Sequence, residues 1–209
     1  MLFRSDIHKF FYEIDHEILL DILDYHFEDD YVKWLNHLLV NSTDSPGLPL
    51  GNQAAQIYAL LMLNGMDKMV KGELGIDLYG RYMDDFYLIH HDKEYLKWCL
   101  EYIREFVKSL GLSLNGKTQI IPFKCGISFL GFHHYMTEDG KYIRKLSGYN
   151  KRRIRKKMLS WSKLVKSGKM QEEKFYEKYN AWINHAMHGN CIKLCNTMDL
   201  YCKKILESE

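Results

Sequence analysis

Two rhythms of apolar and polar positions run along this chain, and the places where one gives way to the other mark its parts. Residues 2–8 (Leu-Phe-Arg-Ser-Asp-Ile-His) read as an apolar strand interrupted by one acid, Asp6. From Phe10 to Tyr25 the rhythm turns helical, with Phe11, Ile14, Ile18, Leu19, Ile22 and Leu23 recurring at steps of three and four. Asp15-His16-Glu17 supplies a cap candidate for the later part of that helix. A second helix is predicted over roughly Asp29 to Val40, presenting Tyr31, Trp34, Leu35, Leu38 and Leu39. Asn41 to Gly51 is dense in Asn, Ser, Asp, Pro and Gly and reads as a loop, after which a long helix runs to about Lys71.

Residues 77–92 hold two short aromatic and branched runs on either side of Asp84-Asp85, the pattern of a β-hairpin with the acids at its turn. An amphipathic helix follows from Lys93 to Leu110, with Tyr95, Leu96, Cys99, Tyr102, Ile103 and Phe106 inward and Gly111 as its stop. Residues 112–121 return as a strand, and 126–132 begin a strand pair closed by the turn Glu138-Asp139-Gly140. Beyond Asn150 only helical patterning remains: Asn150–Val165, Gln171–His188 and Asn190–Leu206, broken at Gly168 and Gly189. The expected class is therefore α+β, with a mixed domain over 1–148 and an all-helical one over 149–209.

Composition adds a core and a charge asymmetry. Apolar residues make up 46% of 209 and aromatics 14%, enough for a sizeable interior and too much for disorder. The net charge of +2 conceals two opposed parts. Residues 1–140 hold 12 Lys/Arg against 21 Asp/Glu, whereas 141–209 hold 17 against 6. A basic helical part joined to an acidic one suggests a polyanionic partner gripped by the former, although basic surfaces also serve solubility. The five cysteines form no regular framework, which argues for reduced thiols and a cytoplasmic setting. His185, His188, Cys191 and Cys195 have spacings open to a zinc site, but no second paired cluster supports one, and core or surface roles fit better. Neither a signal peptide nor a run of about 18 apolar residues is visible, so no membrane association is expected.

The chemistry centres on the acids. Asp84-Asp85 alone is equally well explained as turn composition. Adjacent carboxylates also repel, and a hard divalent cation with oxygen preference relieves that repulsion. Asp6, on a separate strand, makes a set of three that suits two ions about 3.5–4 Å apart, as in phosphoryl transfer.

Tyr82-Met83-Asp84-Asp85, preceded by Gly80-Arg81 and by the segment Asp6-Ile7-x-x-Phe10-Phe11, resembles the catalytic palm of reverse transcriptases. The motifs follow in the family's order over nearly the whole chain, closest to bacterial retroelement enzymes of the diversity-generating and group II intron-like kinds. The resemblance implies an antiparallel-sheet palm packed with helices, followed by a three-helix thumb. It implies an RNA-directed DNA polymerase that joins dNTPs to a DNA primer on an RNA template, with two Mg²⁺ or Mn²⁺ ions. Asp6, Asp84 and Asp85 would be catalytic and metal-binding, with the Ile7 carbonyl beside them. Phe11 matches the bulky residue that excludes a 2′-hydroxyl, although a core aromatic explains it equally. Leu48-Pro49-Leu50-Gly51, with Gln53 after it, matches the loop over the nascent base pair, and Lys117 a lysine near the triphosphate. Phe129-Leu130-Gly131-Phe132 resembles the hairpin holding the primer. Lys151, Arg152, Arg153, Arg155, Lys156 and Lys157 would grip duplex phosphates.

Two departures qualify the resemblance. Leu50 stands where many relatives have Gln, which removes a polar contact at the nascent pair. The family's fingers strands have no counterpart before Asp6, so the chain is expected to be a fragment, a mis-called start or a decayed element, with fingers from a longer chain or an accessory protein. The competing readings are a two-metal nuclease, a non-catalytic nucleic-acid-binding remnant and, least, a palm-like signalling domain of the nucleotide-cyclase type. Phe11 and the Leu-Pro-Leu-Gly loop weigh against a nuclease, which has no sugar to select and no base pair to cover.

Overall fold

The computed structural model describes residues 1–43 and 46–207. Asp44 and Ser45 of the predicted loop, and Ser208 and Glu209 at the end of the helical part, lie outside the described residues. The chain forms two compact units, Met1–Phe123 and Lys124–Glu209.

The first unit is built on a four-stranded antiparallel sheet in the order β2-β3-β1-β4, from β1 (Leu2–Asp6), β2 (Leu78–Tyr82), β3 (Asp85–Ile89) and β4 (Gln119–Ile121). Alternation along each strand divides the sheet into two faces. Phe3, Ser5, Phe86 and Leu88 are buried on one face, while Arg4, Asp6, Asp85 and Tyr87 are only partly covered on the other. Helices α1 (Phe10–Glu13), α2 (His16–His26), α3 (Asp30–Val40), α4 (Gln53–Met62), α5 (Asn64–Lys68) and α6 (Lys93–Ser109) complete this unit. Leu19, Leu23, Ala59, Met62, Met66, Leu96, Cys99 and Ile103 join Phe3, Phe86 and Leu88 in one core. Gly80 lies opposite Tyr87, and a Cβ there would stand 2.7 Å from the tyrosine ring. Only glycine lets that ring lie across β2.

The predicted helix over 10–25 is two helices. Ile14 adopts an extended conformation, and the Asp15 side chain caps α2 by accepting from the Glu17 and Ile18 amides. The helix expected to reach Lys71 pauses at Leu63 and ends in a π-helical turn, Met69–Glu73. The strand expected over 112–121 shrinks to β4 because residues 115–118 fold into a turn, in which the Thr118 amide donates to the Asn115 carbonyl at 3.0 Å.

The second unit holds a three-stranded antiparallel sheet, β5 (Ile127–Phe129), β6 (Phe132–Met136) and β7 (Tyr142–Leu146), with α7 (Gly148–Lys166), α8 (Glu172–Met187) and α9 (Ile192–Glu207). The compact units divide at Phe123, upstream of the change of pattern near Gly148. The physical reason is burial: Phe132 of β6 and Leu146 of β7 share a core with Ile154, Met158, Phe175, Trp182 and Met198 of the helices. No helix among the described residues is long and apolar enough to cross a membrane.

Candidate active site

The register of β1 against β3 sets Asp6 directly opposite Asp85. Tyr82 pairs with Asp85 across the hairpin, which leaves Met83 and Asp84 as a two-residue turn. Met83 has φ +55°, a left-handed conformation that a non-glycine residue adopts at a cost. The carbonyl of Asp84 accepts the Ile7 amide at 3.3 Å, so the turn is tied to the end of β1. Register and turn together bring Asp6, Ile7, Asp84 and Asp85 to one end of the sheet.

Burial pushes the Asp84 carboxyl above the ordinary carboxylate range, and the charges of Asp6 and Asp85 add to that shift. Burial also raises Asp85, against an opposing contribution from Arg4. The Arg4 guanidinium holds Asp85 with two hydrogen bonds, Nε to Oδ1 at 3.2 Å and Nη2 to Oδ2 at 3.1 Å. Asn115 Nδ2 donates to Asp6 Oδ2 at 3.1 Å, and its backbone amide donates to the Asp6 carbonyl at 2.8 Å. Ser5 and Thr118 share a hydroxyl hydrogen bond of 2.6 Å that pins the same turn to β1.

Among the described residues, no group of three or more His, Cys, Asp or Glu side chains is arranged to hold a metal ion. Asp6, Asp84 and Asp85 nevertheless stand close enough for the charges of Asp6 and Asp85 to act on Asp84. Two of the three accept hydrogen bonds from protein donors, Asp85 from Arg4 and Asp6 from Asn115. His185 packs against the Phe132 ring, while Cys191 and Cys195 are buried in the core of the second unit.

Behind the turn stands a second ion pair. Arg81 donates through Nε to Asp67 Oδ1 at 2.7 Å, through Nη2 to Asp67 Oδ2, and through Nη1 to the Met83 carbonyl at 2.9 Å. Tyr79 donates to Asp67 Oδ1 at 2.6 Å, and burial followed by that acid pushes its hydroxyl pKa well up. Burial opposes the Arg81 charge, but Asp67 outweighs it and the guanidinium pKa is raised.

The other residues singled out in the sequence fall in several places. Phe11 is half-buried against the first core, and its carbonyl accepts the Leu48 amide at 2.7 Å. Gly47, at φ +105°, makes that docking close, since a Cβ there would stand 2.7 Å from the Phe11 carbonyl oxygen. The Leu48–Gly51 loop is thus joined to α1, with Leu50, Gly51 and Gln53 exposed. Lys117 is exposed in the turn that Asn115 anchors, its amide donating to Asn115 Oδ1 at 3.1 Å.

In the second unit, Phe129 pairs with Phe132 around a two-residue turn, Leu130-Gly131, with φ of +49° and +82°. On α7, Arg152, Arg153, Arg155, Lys156 and Lys157 are exposed and Lys151 is half-buried, around a buried line of Ile154 and Met158. Arg4, Asp67 and Asn115 are further members of the site that no motif in the chain marks. Arg4 had one local signal: it lies two residues from Asp6 on a strand, hence on the same face.

The profile of the family described as "Reverse transcriptase (RNA-dependent DNA polymerase)" matches residues 1–134. The chain belongs to the reverse transcriptase family. Two solved structures share the reverse-transcriptase-type fold. Apo telomerase from Candida tropicalis, truncated from its C-terminal domain, aligns with a TM-score of 0.50 at 15% identity, over 63% of this chain and 33% of that one. Telomerase from Candida albicans, in complex with a fragment of telomeric RNA, aligns at 0.54 and 14% identity, over 78% and 35%. This reverse transcriptase chain thus spans about a third of the length of the telomerases it matches. No curated protein is similar enough to match.

Proposed function

We propose that this chain is the palm and thumb-like part of an RNA-directed DNA polymerase of bacterial retroelement type, with the unit Met1–Phe123 as palm and the unit Lys124–Glu209 carrying the thumb helices. The observation that supports it most is the register placing Asp6 opposite Asp85, next to the Asp84 turn, in a chain of this family. The donor set is chemically suited to Mg²⁺ or Mn²⁺: the oxygens are hard, and the carboxylates repel one another. Asp6 and Asp84, with the Ile7 carbonyl, would hold the ions, and Asp85 supports them from its pairing with Arg4. Bound there, the ions supply charge stabilisation for nucleotidyl transfer from a dNTP to a primer 3′-hydroxyl.

The residues of the chain itself do the rest. Asn115 orients Asp6 and carries Lys117 in the same turn, where its charge favours the triphosphate. Phe11 and the loop through Leu50, Gly51 and Gln53, docked together, act on the sugar and the nascent pair. Phe129, Leu130 and Gly131 hold the primer, and the α7 cations meet the phosphates of an RNA–DNA duplex through salt-sensitive contacts. The pairing of Asp85 with Arg4 favours one second reading, a nucleic-acid-binding remnant without catalysis.

Single-nucleotide extension of a primed RNA template, with matched ribo- and deoxynucleotides, separates the two. Phe11→Val is expected to raise ribonucleotide use relative to deoxynucleotide, because a smaller side chain leaves room for the 2′-hydroxyl. An unchanged sugar ratio in a folded variant removes Phe11 from the site. Absence of any extension with Mg²⁺ or Mn²⁺ leaves the remnant reading.

A further inference from the structure

Asp84 is fixed on both sides through its backbone. The peptide that follows it is held by β1, since its carbonyl accepts the Ile7 amide. The peptide that precedes it is held from the opposite direction, since the Met83 carbonyl accepts Arg81 Nη1 at 2.9 Å. A carbonyl and the next residue's amide share one rigid plane, so fixing the Met83 oxygen fixes the orientation in which Asp84 leaves the turn. That restraint is needed because Met83 sits at φ +55° with no glycine to make it cheap.

Arg81 is able to do this because it is itself immobilised. Its side chain is only 8% exposed and is gripped by both oxygens of Asp67 on α5. Tyr79, two residues back on the same face of β2, closes the network by donating to Asp67. The alternation of β2 sends Tyr79 and Arg81 to the core side of the sheet, opposite Leu88 and Phe86, so the brace stands behind the acids.

We propose that Arg81, locked by Asp67, is a positioning residue that sets the orientation of Asp84 through the Met83–Asp84 peptide. The inference rests on the reading of Asp84 as a metal-binding acid, but the geometry behind it is independent of that reading. Only a guanidinium meets Asp67 with two nitrogens and the Met83 carbonyl with a third. A lysine at this position keeps the charge and loses the third contact.

The test uses Arg81→Lys in the full chain, with amide hydrogen exchange and Mn²⁺ titration by electron paramagnetic resonance as readouts. Exchange at the Ile7 amide is expected to accelerate roughly five- to tenfold, the size of one net hydrogen bond, while amides around Phe3 and Leu88 stay protected. Mn²⁺ binding is expected to weaken about tenfold or more, as for losses of outer supports to metal ligands. Unchanged Ile7 exchange overturns the proposal, whatever the chain catalyses. Wild-type Mn²⁺ affinity in Asp84→Asn overturns instead the reading of Asp84, as does a wild-type chain that binds no Mn²⁺. Should Arg81→Lys fail to fold, Asp67→Asn, which keeps the shape and removes the charge, must show the same selective acceleration at Ile7, and its absence overturns the proposal.

Discussion

Two tight hairpins among the described residues differ in how a bulky residue is made to turn. In the first unit Met83 takes a left-handed conformation alone, and Asp84 after it does not. In the second, Leu130 and Gly131 are both left-handed, the pattern of a type I′ turn with glycine at its second position. The Met83 turn is braced from behind by Arg81 and Asp67 and tied in front to β1. The Leu130-Gly131 turn is exposed, and the Gly131 carbonyl is satisfied by the Ser147 amide at 3.1 Å. One turn is held by a buried side-chain brace that fixes where an acid points; the other rests on a glycine at its second position and one backbone contact, from the Ser147 amide.

Four substitutions test that contrast. Arg81→Ala carries the largest expected effect on stability. It leaves Asp67 without its partner in a largely buried network, a loss of about 3 kcal/mol in the first unit. Reduced exchange protection along β1 and β3, with α7 to α9 unaffected, is the expected result. Gly131→Ala comes next: a Cβ at φ +82° costs about 1–2 kcal/mol, confined to the second unit. Equal losses from an alanine at Gly131 and at Gly72, which has open space around it and no left-handed φ, would break the comparison.

The smallest effect is electrostatic and depends on pH. The folded-state pKa of Asp84 is raised, so the native state binds more protons than the unfolded chain between the ordinary value of about 4 and the raised one. Stability therefore falls as pH rises through that window, and the ionised acid opposes folding above it. Asp84→Asn is expected to raise the melting temperature by a few degrees at pH 7 and to leave it unchanged well below pH 4, by calorimetry. An equal shift at both pH values would assign the effect to packing instead of charge.

Much of this was legible in the chain. The hairpin around Asp84-Asp85, the cap at Asp15 and the exposed cations of α7 follow from local alternation and spacing. What local rules cannot give is register. Nothing near Asp6 says that it faces Asp85, and Arg4 was recognisable as a partner only once β1 lay beside β3. Asn115 reads as turn chemistry until the turn is folded against β1, and Asp67 reads as a polar position on a helix until Arg81 reaches it. The unit boundary at Phe123 was hidden for a similar reason, since the burial of Phe132 and Leu146 among helices is a long-range event. The acids themselves were visible; the groups that hold them were not.

The most direct test of the account is single-nucleotide extension of a DNA primer on an RNA template by the wild-type chain and by Asp84→Asn, with Mg²⁺ or Mn²⁺. Extension by the wild type is expected, with a loss of about a thousandfold or more in the variant, the scale of several kcal/mol of transition-state stabilisation. Extension by Asp84→Asn at the wild-type rate, in a folded protein, would contradict it.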